Sequence, residues 1–258
     1  MVSVTAVQIR FALLVFAPIG LLPAQSFLPP QASPPQTTPI RHELSAEDRA
    51  DIYMARKMYR EAIDMYGQAP ESSATRWNKM GIAYHQLQDL RSARKNYEVA
   101  IRLDPKYGEA INNLGTIYFS AQSYRRAVRE YKKALRELPE SASIESNLGT
   151  AYFARKDYKK ATEAYEKALQ LDPDVFEHHS TYGVLLQNNN VGDRAKFHYY
   201  LAKTYAKQGL TDRALLCIRK ALEEGFEERK RFLEEPEFAG MRGNVEFQEL
   251  MKSEPRVL

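Results

Sequence analysis

Of cysteine and tryptophan the chain holds one each, Cys217 and Trp77, among 258 residues. A lone cysteine excludes an internal disulfide and any cysteine-rich zinc site. Charge of one sign is scarce as well. Against 33 acidic residues stand 37 basic ones, and the net +4 is too small an excess to point to nucleic acid or an acidic substrate. The five histidines, His42, His85, His178, His179 and His198, form no zinc-protease helix motif. His178 and His179 are adjacent, so on a helix they point about 100° apart and cannot grip one ion together. No glycine-rich phosphate loop and no serine-centred elbow is present. Cys217, flanked by Leu216 and Ile218, reads as a small buried hydrophobe rather than a nucleophile. Glu223–Glu224 and Glu234–Glu235 read as solvated helix surface. The expectation is a chain with no catalytic residues, no metal, no cofactor and no small-molecule substrate.

Long apolar runs are limited to one, Phe11 to Ala24, interrupted by Pro18 and Gly20. It is shorter than the roughly 20 residues a membrane-spanning helix needs. Arg10 is the only charge in the first forty residues, and small residues follow the run at Ala24 and Ser26. That order suits a secretory signal peptide over residues 1–26, cleaved after Ala24 or Ser26. The alternative is an uncleaved anchor that holds the chain at the membrane, facing the periplasm. Pro29, Pro30, Pro34, Pro35 and Pro39 then mark residues 27–42 as an extended linker that cannot pack.

Beyond the linker the sequence repeats. Gly81, Gly115, Gly149 and Gly183 stand 34 residues apart, and Tyr84, Tyr118 and Tyr152 keep that step. So do Ala93, Ala127, Ala161 and Ala195, then Tyr97, Tyr131, Tyr165 and Tyr199, then Pro105, Pro139 and Pro173. A period of this length means stacked supersecondary units. Leu114, Gly115 and Tyr118 share one face of a first helix; after a break around Gln122, Tyr124, Ala127, Tyr131 and Ala134 share one face of a second. Gly115 and Ala127 are expected where the two helices cross closely, with tyrosine rings filling gaps between units. Pro139 cannot continue a helix and ends the unit. One pair cannot bury its apolar face alone, so stacking makes the core.

These residues resemble the tetratricopeptide repeat. Trp77, Met80, Gly81, Tyr84, Ala93, Tyr97, Ala100 and Pro105 follow its signature, as do Leu114, Gly115, Tyr118, Ala127, Tyr131, Ala134 and Pro139. A third set is Leu148, Gly149, Tyr152, Ala161, Tyr165, Ala168 and Pro173. The resemblance, to a bacterial exported type, implies an all-α, right-handed superhelical solenoid of antiparallel helix pairs. Units are expected at about 43–73, 74–107, 108–141 and 142–175, with an irregular fifth over 176–225. In that fifth unit, Asp193 to Gln208 is either a second helix after Gly183 or the first helix of a sixth pair with Ala202, Tyr205, Ala214, Ile218 and Ala221. A continuous solenoid in which this helix serves both roles is favoured. Residues 226–258, with Phe232, Phe238, Met241 and Phe247 among charges, read as a cap over the last exposed face, or alternatively as a docking peptide.

In this family the first helices line a concave groove, read by residues outside the signature. Here those are Asn78, Lys79, Ile82 and His85; Asn112, Asn113, Thr116 and Phe119; and Ser146, Asn147, Thr150 and Phe153. A row of amides offers donors and acceptors to a peptide backbone, with Phe119 and Phe153 as apolar pockets. Alternatively Asn113 and Asn147 only hold units together. Chaperone adaptors of the family clamp a C-terminal carboxylate with lysines, an arginine and asparagines; the matching places here carry Asn78 and Ile82, Asn113, Ser143 and Asn147, so no such clamp is expected. The doublets Arg125–Arg126, Lys132–Lys133 and Lys159–Lys160 alternate with Glu130, Glu163 and Glu166, as helix-surface pairs do.

The expected role is a non-enzymatic scaffold, periplasmic or secreted, that binds an extended segment of a partner protein in the groove. One alternative is an accessory component of an envelope secretion or pilus-type complex with broad convex-face contacts. Another is a membrane-anchored adaptor.

Overall fold

The computed structural model describes residues 44–177 and 191–252. The expected leader, the proline-rich linker, His178, His179 and Gly183 lie outside them. Among the described residues the chain is helical, without a strand. No helix there is long and apolar enough to cross a membrane.

Ten helices pair in chain order: α1 (Ala46–Ala55) with α2 (Tyr59–Tyr66), α3 (Ala74–Gln86) with α4 (Leu90–Leu103), α5 (Gly108–Ser120) with α6 (Tyr124–Glu137), α7 (Ala142–Ala154) with α8 (Tyr158–Leu171), and α9 (Val191–Lys207) with α10 (Thr211–Glu223). Each second helix also packs on the first helix of the next pair, which makes a solenoid. Starts are set by short polar side chains. Ser45 forms a capping box with Asp48 at α1, and Ser73 and Asp89 accept from backbone N–H groups at α3 and α4.

The turns inside pairs share one geometry. Lys57, Gln88, Gln122 and Lys156 have φ between 55° and 62°, and Gly209 takes φ 73° at the same place in the last pair. The residue after each donates its N–H back across the helix end: Met58 to Tyr53 O, Asp89 to Tyr84 O, Ser123 to Tyr118 O, Asp157 to Tyr152 O and Leu210 to Tyr205 O. This is the Schellman closure of a helix, built on non-glycine residues in four turns of five. The break at Gln122 is therefore a left-handed C-terminal cap.

The step of the glycines has a cause beside the close helix crossing expected, which shows at Gly149, where a Cβ would fall 3.2 Å from Ala161 O. A Cβ on Gly81 falls 2.5 Å from the Tyr97 ring, on Gly115 2.7 Å from Tyr131, and on Gly149 2.5 Å from Tyr165. The glycines make room for a tyrosine ring of their own unit, so the rings lie within units as well as between them. Each ring is almost fully buried. Tyr131 and Tyr165 donate their hydroxyls to Thr116 and Thr150, one residue past the glycine, at 3.3 Å each.

At the C-terminal end α9 acts as the first helix of a pair, and Ala202, Tyr205, Ala214, Ile218 and Ala221 are all buried there. Its Ala195–Tyr199 face meets the tail. Tyr199 stacks on Phe226 at 4.4 Å and meets Phe232 edge-on at 5.3 Å. Any part of its expected double role that involves the segment before Val191 lies outside the described residues. The tail folds as α11 (Lys230–Glu234), a 3-10 turn (Pro236–Met241) and α12 (Val245–Lys252). Phe232, Phe238, Met241 and Phe247 join the core of α9 and α10. Tyr199 and Lys203 on α9 are tied to Glu235, and Lys203 also reaches Glu237 at 3.2 Å. Burial raises the Glu235 carboxyl, but the hydrogen bonds from Tyr199, Lys203 and Arg231 outweigh it and hold the group below its ordinary value.

Candidate functional site

The asparagines expected to face a peptide face each other. Asn113 donates to Asn78 Oδ1 at 3.0 Å, Asn147 donates to Asn112 Oδ1 at 3.0 Å, and Asn112 donates to Asn113 at 3.4 Å. The result is a ladder of amides running across α3, α5 and α7. All four are buried, and Asn147 is wholly so. A buried amide must find partners or be costly, and the 34-residue step brings the same side chain to each neighbouring unit. The structure thus uses Asn78, Asn112, Asn113 and Asn147 to register one unit on the next.

The other expected groove residues divide. Thr116 and Thr150 bond back to the carbonyls of Asn112 and Ser146, at 3.3 and 3.0 Å, and receive the tyrosine hydroxyls. Phe153 is 4% exposed, its ring against Tyr158, Phe197 and Tyr200, so it offers no open pocket. Phe119 is half-buried against Tyr124 at 5.3 Å. Lys79 is half-buried and paired with Asp51 at 2.6 Å. His85 is half-buried, and burial pushes its imidazole below the ordinary value. Every residue of α7 from Ile144 to Phe153 is buried, Ser146 included. Its only charged side chain, Glu145, is held by Lys167. The expected groove residues that stay partly exposed are consequently on α3 and α5.

Sequence reasoning missed a concavity beside the start of α5. A cavity of about 520 Å³ lies between α5 and the α6–α7 turn, with Glu109 and Asn112 on one side and Leu138, Pro139, Ser141 and Ile144 on the other. Asn112, Thr116 and Phe119 follow one another up α5 at spacings of four and three, so Phe119 stands about 10 Å along the same stripe from the cavity. The signal was present as a departure from the repeat: Tyr107 occupies the place before α5, and Ser141, 34 residues on, the place before α7.

Elsewhere the polar groups are structural. Arg76 is buried, donates to Gly67 O at the end of α2 at 3.2 Å and lies over the Trp77 ring at 4.6 Å. A cation suits a helix C-terminus. Glu130 is 3% exposed and answered by Arg129 and Lys133 at 2.9 and 2.8 Å. Cys217 is buried on α10, and its thiol is pushed up to about 12 by desolvation, far from a nucleophile's range. Among the described residues no group of three or more histidine, cysteine or carboxylate side chains is placed to hold a metal ion.

Two family models, both described as tetratricopeptide repeat, match residues 78–142 and 142–175. No curated protein matches the chain. Among solved structures, "MamA 41-end from Desulfovibrio magneticus RS-1" is 19% identical with a TM-score of 0.50, over 71% of this chain and 94% of that one. "Crystal structure of MamA" is 22% identical with a TM-score of 0.48, over 71% and 98%. "Crystal structure of YrrB: a TPR protein with an unusual peptide-binding site" is 18% identical with a TM-score of 0.47, over 71% and 86%. At 19% identity the likeness to the first of these is one of fold alone.

Proposed function

We propose that this chain, a tetratricopeptide-repeat protein over residues 78–175, is a non-catalytic scaffold that holds an extended segment of a partner protein against α3 and α5. The observation that carries the reading is the cavity beside α5, continued along one helix face by Thr116 and the half-buried Phe119. The face is narrower than a full groove, because α7 is enclosed and the asparagine amides already have partners. A segment lying there gains affinity from apolar side chains set into the cavity and against Phe119, with polar contacts at the rim. The leader-like first 26 residues support a place for this scaffold outside the cytoplasm, and the mass of the mature chain, short by 24 or 26 residues, tests that part.

The second reading places contacts on the outer, second helices. It is favoured by α6, where Arg125, Arg126, Arg129, Lys132 and Arg136 are all exposed. Site-specific photo-crosslinking in the producing cells separates the two. With a benzophenone side chain at Phe119 the groove reading expects a discrete adduct, and with one at Lys132 none. Adducts at Lys132 alone would transfer the role to the outer face.

A further inference from the structure

We propose that the cavity at the α6–α7 turn is a subsite for an aromatic side chain flanked by lysine or arginine in the partner segment, a proposal that rests on the groove reading above. The repeat itself shows what fits. At the preceding unit boundary Tyr107 stands immediately before α5, and its hydroxyl meets the Asn78 amide at 3.4 Å. One 34-residue step later the pair becomes Ser141 and Asn112. Asn112 is kept, the ring is gone, and the cavity opens beside them. Its volume, about 520 Å³, is within the roughly 300–1,000 Å³ of ligand pockets. Leu138 and the buried Ile144 supply an apolar wall, against which an incoming ring replaces the ring the chain omits.

The charge around the cavity changes at the same boundary. Glu109, Glu137 and Glu140 line it, are exposed, and form no ion pair among the described residues. The places 34 residues earlier carry Thr75, Leu103 and Lys106. Three carboxylates around one concavity focus a negative potential in a chain whose net charge is positive. Arg136 precedes Glu137 and Lys106 stands three residues before Glu109, but neither lines the cavity. A neutral or acidic peptide meets repulsion or nothing there; a basic one is attracted to the rim while its ring enters. Ser73 and Val175 leave the ring out at other boundaries too, but the three acids come together only here, which makes the site specific to this one of the stacked units.

The test is a titration of the full chain, isotope-labelled for NMR, with three capped pentapeptides: Gly-Lys-Tyr-Lys-Gly, Gly-Lys-Ala-Lys-Gly and Gly-Glu-Tyr-Glu-Gly. The first should bind at least tenfold more tightly than either other, with amide shifts centred on Ser141–Ile144 and Glu109–Asn112. Ser141→Tyr restores the ring of the preceding boundary; with unchanged helicity and melting temperature it should weaken the first peptide at least tenfold. Glu109→Gln, Glu137→Gln and Glu140→Gln together should weaken it several-fold and remove most of its salt dependence. Equal binding of the three peptides, shifts elsewhere, or unimpaired binding by Ser141→Tyr overturns the subsite. If that variant does not fold, the native titration decides alone. A mass that rises with concentration and blocks the peptide identifies a second copy as the occupant, and overturns it too. Persistence of the Phe119 adduct without peptide binding rejects the subsite and leaves the groove; peptide binding without the adduct does the reverse.

Discussion

At the residue scale, this molecule is organised by pairs separated by fixed numbers of residues. Tyr97, Tyr131 and Tyr165 each follow a glycine by 16 residues, and the ring leaves no room for a methyl group there. Gly115→Ala should therefore lower stability by about 1–3 kcal/mol in urea denaturation, as overpacking does. Gly240→Ala, where a Cβ meets nothing within 4 Å, is the control and should move it by less than about 0.5 kcal/mol. Equal effects would remove the ring as the reason for the glycine. The first unit departs from this rule and accommodates a methyl group. Ala50 precedes Tyr66 by 16 residues, and there the tyrosine hydroxyl goes to Asp51 at 2.5 Å rather than to a threonine. The glycine spacing was legible in the sequence, but the tyrosine ring behind it was not, because a period says which residues recur and not which side chain each one faces. The asparagines illustrate the same limit. Their recurrence was visible; that each amide is satisfied by the next depends on how closely first helices stack.

At the element scale the recurring feature is the turn inside each pair. Four of the five described turns put a non-glycine residue in the left-handed region, where an L side chain costs about 1–2 kcal/mol. Only the last has glycine, Gly209. Gln122→Gly should accordingly stabilise the α5–α6 pair by about 1 kcal/mol, since the Schellman bonds are backbone and remain. A rise in the urea midpoint at constant slope would show it; a fall would mean that the Gln122 side chain contributes more than the strain removes. Sequence alone placed one of these turns, as a break around Gln122. Their handedness was hidden because Lys57, Gln88, Gln122 and Lys156 are not residues that signal a left-handed cap.

At the scale of the whole folded unit, each pair touches its neighbours in the stack, so a defect should stay near its origin. The tail supplies the last layer. Phe232 is fully buried against Tyr199, Phe226 and Phe238. Phe232→Ala should destabilise the end of the solenoid by about 3–5 kcal/mol, as large cavities in cores do. Hydrogen exchange would read the loss in α9, α10 and the tail while α3–α6 keep their protection. Uniform loss of protection from α3 to α12 would show a single cooperative body instead of a stack.

The 34-residue period determined the architecture by itself. It sets which faces of the helices are apolar, where helices end, and that units must stack to have a core at all. The apolar tail residues likewise pointed to a cap, because an end face cannot be left uncovered. Tertiary structure alone decided which part of the first-helix surface is open. Burial belongs to neighbours rather than to residues. The amides that sequence left between a ligand and the packing of units are turned to one another, α7 is enclosed, and a concavity appears where the repeat exchanges Tyr107 for Ser141. A periodic sequence announces what its units share, and packing exposes the boundary at which one of them differs.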